Sequence, residues 1–442
     1  MPAEPLKVLV KSPFSGYSGY GNDGFGLLRA LHQWGCDAYP QPTHVDVPIP
    51  ADLLPLFGKT LRTPFDLVIN HWAPGYLELT REARQGCRVA VAWTMWEFSG
   101  PSQDAIRPCR EHRKELGVKA MGLKECPHCH PPVSSGFTGF EFSKAAMSST
   151  LRKRLRWYDM VLGYDEVSAA ALAPYTPRQV SLGVLQGGYD SSDWKPAGRD
   201  WFDPNFGFMM HGQLGSRKQP WVAIEAFQKL KYEKPGSYPG GFDEARLSLH
   251  TSAPGHIFPE LNVPFEKSRI RVYIDSFDRE MLQDFYAAHH VLLAPSRGEG
   301  KNLPALEAAT TGAVPCVSRY GGHMQWAGED WAYLLDGTLE PTFGSKPWGA
   351  RDFRVSVDSM AAMLWHIWTH REEARGRAER AAELVPKMCD WQVVVESLFR
   401  RIRDSVTSRG IGQQVYDKAM WSKREERRPG AQPVVNAGTP WP

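Results

Sequence analysis

Short apolar runs alternate along this 442-residue chain with stretches in which apolar residues recur every three or four positions. The runs predict buried strands and the spaced stretches predict amphipathic helices. In the first half the runs are Leu6–Val10, Phe65–Asn70, Arg88–Thr94 and Tyr158–Val161. Helical spacing follows them at Phe25, Leu27, Leu28 and Leu31, and again over Glu166–Ala173. In the second half strands are predicted at Phe206–His211, 245–250, 269–274, Val291–Ala294 and Ala313–Val317, with helices at Trp221–Leu230, Arg279–His289 and Leu303–Thr311. Residues 352–370 and 372–385 read as helical, and Trp391–Val406 as a last amphipathic helix. Beyond about 408 the periodicity is lost, and 408–442 is expected to be a disordered or loosely attached tail.

A Gly-, Ser-, Asp- and Pro-rich segment near 195–203 divides the two series, giving domains at 1–196 and 197–385 and a terminal helix at 386–407. Each domain is expected to be a Rossmann-like α/β unit, the two facing a cleft. Ligands of such sheets sit at the carboxyl ends of the strands. Residues there are therefore the candidates. After Val291–Ala294 comes a polar loop, Pro295–Asn302, then the helix from Leu303, with Glu299 in the loop and Glu307 on the helix. Gly298, Gly300, Lys301, Asn302 and Leu303 bring backbone N–H groups to a helix start, which suits an anion. Arg217 and Lys218 occupy the loop after Phe206–His211, where two fixed cations match a diphosphate. The glycine-rich turn holding Gly19 and Gly21 allows close backbone approach, although glycine also punctuates ordinary turns. His71 ends the strand Phe65–Asn70 and either orients a substrate or is simply a satisfied histidine. Glu97, beside Trp96, would be partly desolvated and its pKa raised.

Composition narrows the picture. Fifty-two basic against 49 acidic residues leave +3, too balanced to argue for nucleic acid, and 42% hydrophobic content is globular. No run reaches the roughly 18–20 apolar residues of a membrane span, and the N-terminus lacks a signal-peptide pattern, so a soluble cytoplasmic protein is expected. Seven cysteines fit a reduced compartment better than a disulfide framework. Cys109 with His112, and Cys126 with Cys129, form two close ligand pairs inside an insert at about 100–150, the spacing of a structural zinc site. His128 and His130 compete with His112 for the fourth position, and a chance cluster of thiols is the alternative.

The second half also resembles the retaining glycosyltransferases of family 4. The segment SRGEGKNLPALEA, from Ser296 to Ala308, is similar to that family's E-x7-E motif, with Glu299 and Glu307 as its carboxylates. Gly212 to Gln219, the run Gly312–Val317 with Gly321 and Gly322, Phe285 with Tyr286, and Trp391 resemble further family features, so the likeness spans about 206–400. In the first half Ser18–Gly21, Phe65–His71 and Thr94–Glu97 match more loosely. The insert falls outside the family pattern, and Lys301 with Asn302 replaces the usual Phe-Gly. The resemblance implies a GT-B architecture with the terminal helix crossing back to the first domain. It implies a nucleotide-sugar donor, with Arg217 and Lys218 on the diphosphate, Glu299 on the sugar and Glu307 on the ribose. Trp96 and Glu97 would line the acceptor side, and no catalytic divalent metal is expected. The acceptor stays open between a glycan, a lipid-linked sugar, a protein and a modified DNA base. Two other readings stand beside it: a zinc-containing nucleic-acid- or protein-binding module on a degenerate scaffold, and a GT-B-fold sugar-nucleotide epimerase.

Overall fold

The structure is a computed structural model and describes residues 4–15, 19–45, 48–61, 63–72, 77, 79, 81–94, 151–252, 269–341, 351–407 and 410–426. The candidate zinc ligands Cys109, His112, Cys126 and Cys129, with His128 and His130, lie outside the described residues, as do Trp96 and Glu97. Among the described residues no group of His, Cys, Asp and Glu could hold a metal. No helix among them is long and apolar enough to cross a membrane.

Two six-stranded parallel sheets carry the fold. The first contains β1 (Lys7–Phe14), β2 (Asp37–Val45), β3 (Phe65–His71), β4 (Cys87–Thr94), β5 (Met160–Gly163) and β6 (Ser181–Val184). Their order is β2-β1-β3-β4-β5-β6. The second contains β7 (Gly207–His211), β8 (Arg246–Thr251), β9 (Ile270–Ile274), β10 (Val291–Ala294), β11 (Val314–Ser318) and β12 (Tyr333–Leu335), in the order β12-β11-β10-β7-β8-β9. Central strands such as β3 and β10 are buried along their whole length, because helices cover both faces; hence the unbroken apolar runs in the sequence. Both orders reverse once, between β1 and β3 in the first sheet and between β7 and β10 in the second. Loops leaving neighbouring strands in opposite directions open a crevice at such a point.

Helices α1 (Gly19–Gln33), α2 (Glu166–Leu172), α3 (Pro220–Glu233), α4 (Arg279–Ala287), α5 (Leu303–Thr310), α6 (Val357–Thr369), α7 (Arg371–Cys389), α8 (Trp391–Ser405) and α9 (Ile411–Glu426) pack on the sheets. Local chemistry starts several of them. Asp165, Asp278, Ser356 and Asp390 accept backbone N–H bonds at the starts of α2, α4, α6 and α8, while α3 starts with Pro220. Helix α8 follows the second sheet in the chain but buries Trp391, Val394, Val395, Leu398, Phe399 and Ile402 in the core of the first. Each such side chain contributes roughly 1.5–3 kcal/mol of burial, so the helix is a strong tie between the two lobes. Its approach is close. A Cβ on Gly26 of α1 would stand 1.9 Å from the Trp391 indole nitrogen.

Four stretches differ from the sequence expectation. Strand β2 is interrupted in pattern by Pro40 and Pro42, which its place at the sheet edge tolerates. Strand β6 lies beyond Tyr158–Val161, the last run predicted in the first half. Residues Arg351–Val355 form β14 and pair antiparallel with β13 (Gly337–Pro341), so the predicted helix starts only at Val357. The expected tail at 408–442 is corrected over 411–426. There α9 packs Val415 and Ala419 into the first core, and Lys418 pairs with Asp66 at 2.6 Å. Its apolar residues recur at four-residue spacing, a short signal masked by the many charges around it.

The tight crossing of α1 and α8 gives a stability test. Gly26→Ala is expected to cost about 1–3 kcal/mol in urea unfolding, through overlap with the Trp391 ring. Gly198→Ala, where nothing lies within 4 Å, should stay within about 0.5 kcal/mol of the parent.

Candidate functional site

The crevice of the second sheet collects the charged residues expected from the sequence. Strand β7 ends at His211 and passes Gly212, whose φ of +120° suits glycine. A short turn, Ser216–Lys218, follows and delivers both cations. From the neighbouring strand β10 the loop 295–302 brings Glu299 to them. Its carboxylate lies 2.8 Å from the Arg217 guanidinium and 2.6 Å from the Lys218 ammonium. The two loops are also joined through backbone. The Arg297 N–H donates to the Arg217 carbonyl at 2.8 Å, and Arg217 Nη1 donates to the Gly298 carbonyl at 2.7 Å. Burial alone would raise the Glu299 pKa, but Arg217 and Lys218 outweigh it and hold the carboxyl far below the usual range.

Glycines close the site from the side of β11. Gly321 has φ +62°, and a Cβ on Gly322 would collide with the Gly300 carbonyl at 1.9 Å. The Gly322 N–H donates to the Glu299 carbonyl at 2.8 Å. Beside them His323 is buried. Its Nδ1–H donates to the Ser318 carbonyl at 3.1 Å, and its Nε2 accepts from the Asn302 amide at 2.9 Å. That pattern requires a neutral ring, and burial lowers its pKa to about 4. Asn302 stands before α5 with φ 64° and spends its side chain on His323 instead of capping the helix. The first N–H groups of α5 thus lack a side-chain cap and can face an anion. Leu303 begins that helix, half-buried.

Glu307 lies one turn further along α5. Its Oε2 accepts from the Tyr286 hydroxyl at 2.8 Å, and burial pushes its pKa up to about 7 despite that bond and the Lys301 charge. The two carboxylates therefore titrate far apart. Glu299 is fixed as an anion, whereas Glu307 is poised near neutrality.

The remaining sequence candidates divide. Gly19 and Gly21 open α1, and a Cβ on Gly21 would meet the Ser15 backbone at 2.2 Å, so close packing on the end of β1 requires this glycine. Lys301 is not a free cation beside an anion site: its ammonium is buried on Asp23 of α1 and the Gly188 carbonyl. His71 is fully buried, with Nδ1 3.0 Å from the Ser12 hydroxyl and Nε2 bonded to Tyr164, which donates to Asp23 at 2.6 Å. Burial holds this ring neutral, with a pKa near 4. It is the last residue of β3 and does not face open space.

Asp23, Tyr164, Asp165 and His323 escape the sequence reading, and Tyr286 was named there only as a family feature with no role. Of the four, only His323 carried a signal, being next to the Gly321–Gly322 turn. Asp165 caps α2 by accepting from the Ser168 N–H at 2.6 Å, but its other oxygen is buried with no partner. That oxygen would lie 3.9 Å from a Cβ on Gly321, so it faces the second lobe. Burial raises this carboxyl to about 6.

No known protein family profile matches the chain, and no curated protein matches it. Solved structures do. The chain superposes on the alpha,alpha-trehalose 6-phosphate synthase of Burkholderia multivorans with TM-score 0.57 and 12% identity, covering 92% of this chain and 100% of that one. Sucrose-phosphate synthase of Thermosynechococcus elongatus gives 0.55 and 14%, covering 90% and 98%. The Anabaena protein HepE in complex with UDP and glucose gives 0.52 and 13%, covering 90% and 99%. At these identities the likeness establishes the fold: two parallel-sheet α/β domains in the GT-B arrangement.

The two unusual carboxylates predict opposite pH behaviour. Glu299→Gln leaves the buried Lys218 and the partly buried Arg217 without their carboxylate and should cost about 3–5 kcal/mol at pH 7. Because the folded pKa of Glu299 is lowered, its contribution is present above the ordinary glutamate pKa and lost as pH falls. The gap between parent and variant should therefore shrink below pH ~4.5 in pH-resolved thermal melts. Asp165→Asn keeps the cap but removes a carboxyl whose folded pKa, about 6, exceeds the ordinary aspartate value of 3.8. Its ionisation cost builds between those values and is complete above them. The variant should thus melt higher than the parent at pH 8 and equally at pH 3.

Proposed function

We propose that this chain is a glycosyltransferase that moves a sugar from a nucleoside-diphosphate sugar to an acceptor, with retention at the anomeric carbon. The observation that carries this reading is the Glu299–Arg217–Lys218 cluster at the strand-order reversal of the second sheet, with Glu307 one turn into the adjoining helix. It is supported by the fold shared with two sugar-phosphate synthases and with HepE, whose structure holds UDP and glucose. The resemblance to family 4 supplies retention.

The geometry supports the following chemistry, with the attack on the leaving group's own face taken from the resemblance to family 4. In the free protein Arg217 and Lys218 share the single negative charge of Glu299. An arriving diphosphate offers them more negative charge, and Glu299 is then released to accept hydrogen bonds from hydroxyls of the transferred sugar. As the bond to the anomeric carbon breaks, charge accumulates on the leaving phosphate, where the two cations and the open start of α5 stabilise it most. Glu307, ionised, accepts the two ribose hydroxyls. The acceptor attacks from the leaving group's own face, and a donor phosphate oxygen takes its proton. The acceptor is a hydroxyl-bearing glycan, lipid-linked sugar, protein or modified DNA base bound against the first lobe.

A screen of nucleotide sugars by thermal shift and donor hydrolysis tests this. Binding of at least one is expected, and Glu299→Ala or Arg217→Ala should lower turnover by about 10²–10³. The absence of any binding, or turnover unchanged in both variants, overturns the reading. Glu307 adds a pH signature. Hydroxyl donors bind the carboxylate, so UDP affinity should weaken as pH falls below about 7, where Glu307 takes up its proton. Calorimetry on Glu307→Gln should show weaker affinity with that pH dependence flattened.

A further inference from the structure

One charged residue in the donor loop faces away from the loop's own lobe. Lys301 sits between Glu299 and Asn302, so its backbone belongs to the anion site, yet its side chain crosses to the first lobe. There the ammonium bonds the Asp23 carboxylate on α1 and the Gly188 carbonyl in the segment joining the two sheets. It also lies 5.4 Å from the Trp391 ring at the start of α8. Lys301 is 5% exposed and Asp23 1% exposed, so water screens this pair little.

The surroundings are shaped around the pair. A Cβ on Gly187 would stand 2.8 Å from the Tyr164 ring and 3.0 Å from Asp23 Oδ2, and one on Gly188 would stand 2.5 Å from the Trp391 ring. Glycine thus lets the connecting segment pass between the partners. The second Asp23 oxygen accepts from Tyr164, whose oxygen accepts from His71 Nε2–H, and Ser12 donates to the other ring nitrogen. On its own lobe the Lys301 carbonyl accepts from the Trp326 indole N–H at 2.8 Å. A single residue therefore joins the donor loop, the glycine-rich start of the first lobe, the connecting segment and the crossing helix.

We propose that the Lys301–Asp23 pair is a latch through which the donor loop takes its binding geometry only when the two lobes are docked. Lys301 is thus a positioning residue, not a donor ligand. This rests on the nucleotide-sugar reading for its ligand but not for its geometry. When the lobes part, the Lys301 ammonium and the Asp23 oxygen it bonds would both have to be hydrated, and the loop 299–302 loses the Lys301 tether to the first lobe. Closure and donor binding are then two readouts of one equilibrium, each favouring the other.

The test uses the full chain and the variants Lys301→Met, Asp23→Asn, their double combination and Lys301→Arg. Small-angle X-ray scattering without ligand should show a larger radius of gyration for the two single variants than for the parent, with saturating UDP returning them toward the parent's value. Calorimetry should show each single variant binding UDP about tenfold more weakly, the double no weaker than the worse single, and Lys301→Arg close to the parent. Urea unfolding confirms that each variant is folded. Unchanged scattering together with UDP affinity within twofold of the parent would overturn the latch. So would effects that simply multiply in the double variant, because the two residues would then act independently. If the parent itself binds neither UDP nor any nucleotide sugar, the donor reading falls, and the scattering comparison alone still decides whether the pair holds the lobes together.

Discussion

Three ionised groups in one nearly dry crevice set the terms for the rest of this protein. Glu299 lies 2.8 Å from Arg217 and 2.6 Å from Lys218, and the carboxylate could not be buried alone at an acceptable cost. Their pairing requires two loops from neighbouring strands to meet in register. That requirement explains much of the local architecture: the backbone bond between Arg297 and Arg217, the positive φ at Gly212, Gln219 and Asn302, and the glycines that admit the Gly300 carbonyl. The same cations are available to any anion able to displace the carboxylate, so the stabilising interaction is also the receptive one.

The second constraint is the joining of the lobes. The chain passes between them twice, and the two passages lie side by side: the Tyr189 N–H donates to the Cys389 carbonyl at 3.0 Å, and the Trp391 N–H to the Tyr189 carbonyl at 3.1 Å. Around this crossing, α8 supplies an apolar stripe to the first core while Lys301 supplies a charge from the second lobe. Apolar burial is strong and undirected; the ion pair is directional and sets the alignment. Docked together, they bring the carboxyl ends of both sheets to face one another at α2 and the Gly321–Gln325 turn, where Asp165 approaches Gly321.

Much of the fold was legible because parallel strands buried on both faces leave unbroken apolar runs, and because capping and proline residues mark helix starts. Strand β2, with its prolines, and the edge hairpin β13–β14 were not, since an edge needs no continuous apolar pattern. Helix α9 was hidden by its charges. Within the site, Arg217, Lys218, Glu299 and Glu307 were legible because each falls at the end of a predicted strand or the start of a predicted helix. Lys301 and His71 were identified as positions, but their roles were not. Both turned out to serve the seam between lobes, or the support beneath it, not the face of the crevice.

The amino-acid sequence by itself determined which residues reach the carboxyl ends of the strands, since that follows from local periodicity and from the direction of the chain. It determined the sign of the charges gathered after β7 and β10. Only the tertiary structure decided what those charges do. Whether a carboxyl is held as an anion, like Glu299, or poised near neutrality, like Glu307, depends on which groups share its dehydrated surroundings. Whether a lysine faces a ligand or a partner depends on contacts as remote as the 278 positions that separate Lys301 from Asp23. Burial and pairing are properties of the packed whole, because water is excluded only when elements distant in sequence close over the same group.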